Sequence, residues 1–236
     1  MNKNTGFWKK MRIAGAAGVA TLCVAGCLAG CTVTVESSGS NVNRDATSTN
    51  LTTESYAFSE QITAVTIDCK AADVNIVKGT DQVTIDCNLP ADYQPTVECD
   101  GETLSITQTA DDNVNMNGDW AITIAVPETC DLQTINAEQN LGDFNMSDTD
   151  CRSVKVENNL GNITFTNSLM ATGELEANLG NIIMTNSSIE EGSVQTNMGD
   201  ITLDGTYENV KWGTDMGKVT VNGEVLTGDS DDDDED

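Results

Sequence analysis

The amino-acid sequence predicts an all-β protein: a single-stranded parallel β-solenoid of about 19 residues per coil, preceded by an irregular N-terminal β portion. Three observations predict it. First, one step recurs as Asn140-Leu141-Gly142-Asp143, Asn159-Leu160-Gly161-Asn162, Asn178-Leu179-Gly180-Asn181, Asn197-Met198-Gly199-Asp200 and Asp215-Met216-Gly217-Lys218, with the glycines 19, 19, 19 and 18 residues apart. Second, offsets counted from the Leu/Met of each step stay apolar or thiol in a chain that is only 38% hydrophobic. Nine residues upstream stand Leu132, Cys151, Met170, Ile189 and Tyr207, and four upstream Ala137, Val156, Leu175, Val194 and Trp212. Three downstream stand Phe144, Ile163, Ile182, Ile201 and Val219, and five downstream Met146, Phe165, Met184, Leu203 and Val221. Third, these positions alternate with Thr, Asn, Glu and Gln, the period of a half-buried strand, and the parity shifts across the glycine, which marks a corner.

Stacking the copies at the ~4.8 Å spacing of neighbouring strands turns each offset into an apolar column, with Leu141, Leu160, Leu179 and Met198 expected one above another in the core. Each buried side chain contributes about 1.5–3 kcal/mol against about 1–2 kcal/mol per residue of backbone ordering. A stack meets that balance and a lone coil does not. The turn residues follow the same geometry. Asn140, Asn159, Asn178 and Asn197 are expected to form an amide ladder along the axis, beside the corner glycines 142, 161, 180, 199 and 217. Stacked carboxylates would repel, and Asp143 and Asp200 are separated by Asn162 and Asn181, with Lys218 following Asp200. The competing reading of these turns is a ligand site, where Asp143, Asp200 and Asp215 would be the oxygen ligands of a Ca²⁺ ion. The Gly-Gly-x-Gly-x-Asp nonapeptide of calcium solenoids is absent, and no cofactor is expected.

In chain order, residues 1–30 read as an export signal: Lys3, Lys9, Lys10 and Arg12 precede an apolar Ile13–Gly30 run. The run ends Leu28-Ala29-Gly30-Cys31, which resembles a bacterial lipobox and implies lipid attachment at Cys31. Val24-Ala25-Gly26-Cys27 is a second match. Attached acyl chains bury CH₂ groups at ~0.8 kcal/mol each, so two or more hold a protein on a membrane. Residues 31–58, rich in Ser, Thr and Asn, read as a disordered tether. The β domain spans 59–228, irregular over 59–129 and regular from 130. Val65-Ile67-Cys69 and Val83-Ile85-Cys87, eighteen residues apart, alternate alike and suggest adjacent coils. Val74-Ile76, Leu104-Ile106 and Trp120-Ile122-Ile124-Val126 continue the pattern, Asp111–Gly118 is a polar loop, and no helix is predicted. Residues 229–236 form an acidic, disordered tail.

Charge narrows the partners. The chain has 11 Lys+Arg against 38 Asp+Glu, a formal −27, and removing residues 1–30 takes away four basic residues and no acidic ones. Nucleic acid needs a basic footprint and is excluded; cationic peptides or proteins, surface glycans and divalent metals are permitted. Catalysis has little to work with. There is no histidine, no Gly-x-Ser-x-Gly or Ser-x-x-Lys elbow, and only Arg44 and Arg152 as arginines beyond the export signal. Carboxylate pairs such as Asp111-Asp112 and Glu190-Glu191 read as surface charge. After Cys31 come five cysteines, Cys69, Cys87, Cys99, Cys130 and Cys151, an odd number that cannot pair fully within the chain. They are expected as small core hydrophobes, with a Cys69–Cys87 bridge as the alternative.

From Ser59 to Leu226 the chain resembles the bacterial putative-adhesin family of β-strand-repeat domains, a domain of unknown function on envelope proteins. Val65-Thr-Ile-Asp, Asp73-Val-Asn-Ile, Gly101-Glu-Thr-Leu-Ser-Ile and Ile122-Thr-Ile-Ala-Val-Pro127 leading into the Leu-Gly-Asn/Asp-Ile coils carry the resemblance. It implies a parallel solenoid on the cell envelope and supplies no catalytic residue. The expectation is a non-enzymatic lipoprotein on the extracellular face of the bacterial membrane, presenting its solenoid for adhesion or partner binding. The alternatives are an envelope-stress or defence module whose acidic surface takes cationic peptides, and a polysaccharide-active β-helix enzyme.

Overall fold

Alternating apolar and polar residues leave the backbone one economical choice, and a computed structural model of the chain, which describes residues 51–109, 116 and 118–226, takes it throughout. The export signal, Cys31, most of the expected tether, most of the 111–118 loop and the acidic tail lie outside the described residues. Strands β1 (Leu51–Phe58), β2 (Ala64–Cys69), β3 (Asp73–Gly79), β4 (Val83–Pro90), β5 (Thr96–Asp100), β6 (Thr103–Thr107) and β7 (Ala121–Pro127) form the first half. There follow β8 (Thr134–Leu141), β9 (Phe144–Ser147), β10 (Cys151–Leu160), β11 (Ile163–Thr166), β12 (Leu169–Leu179), β13 (Ile182–Met198), β14 (Ile201–Met216), β15 (Val219–Val221) and β16 (Glu224–Leu226). The sole helical turn among the described residues is a 3₁₀ turn at Ala91–Tyr93, and no helix there is long and apolar enough to cross a membrane.

All sixteen strands belong to one open sheet, ordered β1-β4-β7-β3-β9-β11-β13-β12-β10-β8-β2-β6-β5, with β14, β15 and β16 continuing from β13. From β8 to β15 neighbours are parallel. Cys151 lies beside Met170, Val156 beside Leu175, Leu175 beside Val194 and Ile182 beside Ile201, each partner one nineteen-residue period on. The offset shortens by one past Thr185, where a register shift sets Ser187 beside Gly205. The side chains so aligned fill the interior. Phe144, Ile163, Ile182 and Ile201 make one buried column and Met146, Phe165, Met184 and Leu203 the next, and the Phe144 and Phe165 rings meet with centroids 5.8 Å apart.

Four expectations need correction. The Leu/Met column does align, Leu141 beside Leu160, Leu160 beside Leu179, Leu179 beside Met198 and Met198 beside Met216. It lies on the outside, however: Leu160, Leu179 and Met198 are 43%, 39% and 43% exposed. The chain leaves the core after the buried residue at 139, 158, 177 or 196 and re-enters at 144, 163, 182 or 201, so the corner turns outward around the step. Secondly, residues 51–58 are not tether but β1, an antiparallel partner of β4. Their Thr, Tyr and Phe suit a half-buried edge strand, where polar residues cost nothing on the wet face.

Thirdly, the N-terminal part does not simply precede the regular windings. β2 lies between β6 and β8, and β3 between β7 and β9, all parallel. The β2–β3 winding is therefore sandwiched between the later β6–β7 and β8–β9 windings, with Val65 beside Ile135. Antiparallel strands close the N-terminal end, β4 against β7 and β1, and β5 against β6, while a β15–β16 hairpin closes part of the other. Fourthly, β2 and β4 are not neighbours: Cys69 pairs in register with Gln139, and Cys87 with Ile122 and Glu54.

Inside and outside columns should respond oppositely to truncation. Phe165→Ala is expected to lower stability by about 3–5 kcal/mol and Leu160→Thr by less than about 0.5 kcal/mol, measured by urea denaturation.

Candidate functional site

The repeated corner carries the most regular chemistry, and it is built from main-chain needs upward. Where the chain turns outward its carbonyls lose their strand partners, and in every winding but that of Ala177, whose side chain has no polar atom, the last inward side chain answers them. Gln139 Nε2 donates to the Ala72 carbonyl at 2.7 Å, Asn158 Nδ2 to Gly142 at 2.9 Å, Thr196 Oγ1 to Gly180 at 2.9 Å and Thr214 Oγ1 to Gly199 at 2.9 Å. The glycine carbonyls in turn point at the next winding. A Cβ on Gly161 would lie 2.0 Å from the Gly142 oxygen, and one on Gly180 1.9 Å from that of Gly161. Both glycines also have positive φ, +145° and +159°. Only a residue without a side chain passes there.

Side chains on the outer rim lock one winding to the next. Asn159 Nδ2 donates to Asn140 Oδ1 at 2.9 Å, Asn178 to Asn159 at 2.7 Å, and Asn197 to Asn178. Two residues past the Leu/Met, each Oδ1 accepts the next winding's backbone N–H: Asp73 from Asp143, Asp143 from Asn162, Asn162 from Asn181, Asn181 from Asp200 and Asp200 from Lys218, at 2.7–3.0 Å. The Asp143 and Asp200 Oδ1 atoms are thus engaged by main chain and stand three windings apart, and Asp215 lies outside that column. No group of three or more His, Cys, Asp or Glu suited to a metal ion occurs among the described residues.

A second corner leaves no trace in the apolar pattern. Asp148, Asn167 and Asn186 take left-handed backbone with φ near 50°, and they form their own ladder at 2.8 Å per rung. Beside them Thr149, Ser168 and Ser187 are buried, each hydroxyl donating to the carbonyl two residues earlier. The nineteen-residue spacing of Asp148, Asn167 and Asn186 was the available signal, since Asn and Asp are the side chains that tolerate this conformation.

The strand face carries a charge pattern unlike that of the turn column, where Asn162 and Asn181 separate Asp143 from Asp200. Asp68, Glu138, Glu157 and Glu176 stand side by side in register. Water screens them, and two lysines reach in: Lys70 Nζ to Asp68 at 2.7 Å and Lys155 Nζ to Glu157 at 2.8 Å. The Lys155 ammonium is held above its ordinary pKa by its hydrogen bond and attraction to Glu157, with Glu174 and Glu138 adding to it. This column borders a groove of about 390 Å³ that also includes Asn140, Asn159 and Asn178. A larger groove of about 600 Å³ gathers Glu128, Asp131, Asp150, Glu190 and Arg152 around Leu169. Asp150 there accepts the Leu169 N–H at 2.9 Å. Glu190 and Glu191 are both exposed, and Asp111-Asp112 lies outside the described residues.

Cys69, Cys87, Cys130 and Cys151 are free thiols, and Cys69, Cys87 and Cys151 are buried. The alternative Cys69–Cys87 bridge does not form because their strands have different neighbours. Burial pushes the Cys69 thiol up to about 12 and Cys151 up to about 11, and raises Cys87 as well. They have the protonated, unreactive character of core hydrophobes.

With the geometry in place, comparison with known proteins adds the following. The family model for Toastrack DUF4097 matches residues 62–236. Among solved structures, the chain is similar to a "putative adhesin" from Bacteroides fragilis NCTC 9343, with 15% identity over 74% of this chain and 98% of that chain and a TM-score of 0.44. It is also similar to a "putative cell adhesion protein" from Clostridium sporogenes ATCC 15579 (10% identity, 72% and 98% coverage, TM-score 0.37). A third is a "putative lipid binding protein" from Parabacteroides distasonis ATCC 8503 (11% identity, 73% and 95% coverage, TM-score 0.32). No curated protein matches the chain.

Asp73, at the head of the Oδ1 ladder, gives a pH test. Burial raises its pKa above the ordinary 3.8; the Asp143 N–H works against this, and the Asp143 and Asp119 carboxylates add to it. The folded chain therefore holds this proton more tightly than the unfolded chain. That contribution favours the fold in acid and is lost as pH rises through the native value. Asn162 and Asn181 do the same work uncharged, so Asp73→Asn is expected to stabilise the protein at neutral pH by about 0.5–1 kcal/mol. In urea titrations from acid to neutral pH, the variant's advantage should disappear toward the acid end.

Proposed function

The chain belongs to the Toastrack DUF4097 family, and from that premise we propose that it is a non-enzymatic binding module held at the bacterial cell surface. In this reading the β domain is a parallel β-solenoid of about 19 residues per coil with an irregular N-terminal β portion, an architecture supported by the registers of β8 through β14. The lipobox-like Leu28-Ala29-Gly30-Cys31 anchors it to the outer face of the membrane. The polar segment that follows, up to β1, lifts it clear.

One observation carries the binding role: the corner side chains are spent on one another. The Asn140–Asn197 amides and the Asp73–Asp200 Oδ1 atoms bond to neighbouring windings. Acids held by fixed main-chain donors have no freedom to shuttle protons, and the sequence offers no histidine to do so instead. The same locking makes a stiff surface with side chains at fixed intervals, which is what a partner reads with little ordering cost. The acidic balance favours cationic partners over nucleic acid or anionic lipid head groups.

Expression in a Gram-positive or Gram-negative host with radiolabelled fatty acid tests the surface reading. Label is expected on the wild-type and Cys27→Ala proteins and not on Cys31→Ala, which should leave the membrane fraction. Protease added to intact cells, or to spheroplasts where an outer membrane intervenes, should digest the anchored protein. Label retained on Cys31→Ala, or protein protected from protease in both preparations, would contradict the proposal.

A further inference from the structure

The outward Leu/Met column is the feature the fold itself does not require. Those side chains point away from the core, so Thr, Ser or Asn would serve the corner as well, yet Leu160, Leu179, Met198 and Met216 follow one another there, with half-buried Leu141 at the start of the row. Contiguous exposed apolar side chains on a water-facing surface mark a contact site more often than an accident. Stacked at ~4.8 Å, the five make a ridge about 19 Å long.

A second column runs beside it. Glu138, Glu157 and Glu176 each stand three residues before Leu141, Leu160 and Leu179, and Asp68 extends their line by one winding. The asparagine ladder lies between the two columns and holds both in register. Only Asp68 and Glu157 have lysine partners; Glu138 and Glu176 hold no ion pair among the described residues. Four carboxylates so close repel one another, and a cationic partner relieves that repulsion.

Resting on the reading of this protein as a binding module, we propose that the ridge and the carboxylate column together form a docking strip for a cationic amphipathic helix. Charge complementarity selects this occupant. A second copy of this chain would bring identical carboxylate columns together, in a protein of net charge −27. An anionic membrane would be repelled likewise. The lengths agree as well: a helix of about 13 residues is ~19 Å long, and its turns repeat at 5.4 Å, close to the ~4.8 Å of the windings. A helix with an apolar stripe on the ridge and lysines along one flank would therefore meet the ridge over its whole length and the carboxylates over the three windings, Glu138/Leu141 to Glu176/Leu179, that the two columns share.

The test uses the full chain and a dye-labelled, fourteen-residue Leu/Lys peptide designed as an amphipathic helix, with binding read by fluorescence anisotropy. A peptide of the same composition, scrambled so that leucine and lysine occupy every face, serves as control. Wild type is expected to bind the amphipathic peptide and to bind the scrambled one on the order of tenfold more weakly. The triple variants Leu160→Thr/Leu179→Thr/Met198→Thr and Glu138→Gln/Glu157→Gln/Glu176→Gln are each expected to lose about tenfold. Glu190→Gln/Glu191→Gln/Glu208→Gln removes the same charge away from the strip and should stay within about twofold of wild type. Circular dichroism checks folding, and single Leu179→Thr and Glu157→Gln substitutions give the same ranking should a triple variant unfold. Equal losses from the two glutamate triples, an unchanged ridge triple, or equal binding of the scrambled peptide overturn the proposal. So does ridge-dependent capture by phosphatidylcholine vesicles or a ridge-dependent dimer in sedimentation velocity, either of which assigns the ridge to another occupant. Failure of peptide binding in a protein that is still lipid-labelled at Cys31 and accessible to added protease removes the strip and leaves the surface reading standing.

Discussion

Main-chain hydrogen bonds between residues one winding apart are the constraint on which the regular half of this protein depends. Gly142 N–H donates to the Leu160 carbonyl, Gly161 to Leu179 and Gly180 to Met198, while Phe144, Ile163 and Ile182 donate to Asn162, Asn181 and Asp200, all at 2.9–3.0 Å. Strands would make such bonds in any sheet. Here they continue through the corners, where most folds give the backbone to solvent. Continuity demands that the corner be as thin as a strand, so Gly180 must lie against the Gly161 carbonyl with nothing between. From this follow the buried Asn158 and Thr196 that satisfy the turning carbonyls, and the amide and carboxylate ladders that accept the rest.

That constraint explains which parts of the fold could be read from the residues. Columns such as Phe144/Ile163/Ile182/Ile201 were legible because a period and an alternation together say both where a residue recurs and which way it points. At the corner the alternation breaks, and Leu160 then carries a period without a direction. Its apolarity suggested the core and its geometry sends it outside. The Asn140–Asn197 ladder was readable because the amide chemistry acts along the axis whichever way the corner faces. The Asp148/Asn167/Asn186 corner is hidden because a left-handed residue leaves no mark on the apolar pattern.

The first half was harder for a different reason. β2 and β3 stack on β8 and β9 with Val65 beside Ile135 and Val74 beside Phe144, partners seventy residues apart in the chain. Nothing local announces such a pairing, and the eighteen-residue spacing of the two Val-Ile-Cys runs pointed to a neighbour that is not there. Closing the loop between the β2–β3 winding and the later ones also carries more entropy than adding one more coil. The repeated half contains the short-range contacts and the N-terminal half the long-range ones, so the former is the natural place for folding to begin. β1 reads as tether because Thr52, Thr53, Glu54 and Ser55 make half of it polar; an edge strand over β4 needs only one face that is not too polar.

Function follows from the same stiffness. A surface whose rim side chains are locked to one another presents its remaining groups at fixed intervals. Two columns are not bonded from winding to winding: the outward Leu/Met row and the acids of β2, β8, β10 and β12, of which Asp68 and Glu157 carry a lysine. The account as a whole stands on the nineteen-residue register, and excising one period tests it most directly. Deleting residues 161–179 joins Leu160 to Gly180 and should leave a protein with strand-type circular dichroism and a single cooperative unfolding transition. Deleting residues 161–170 removes fewer residues but breaks every column and should abolish that transition. The account is contradicted if the two deletions behave alike, or if the shorter one is the better tolerated.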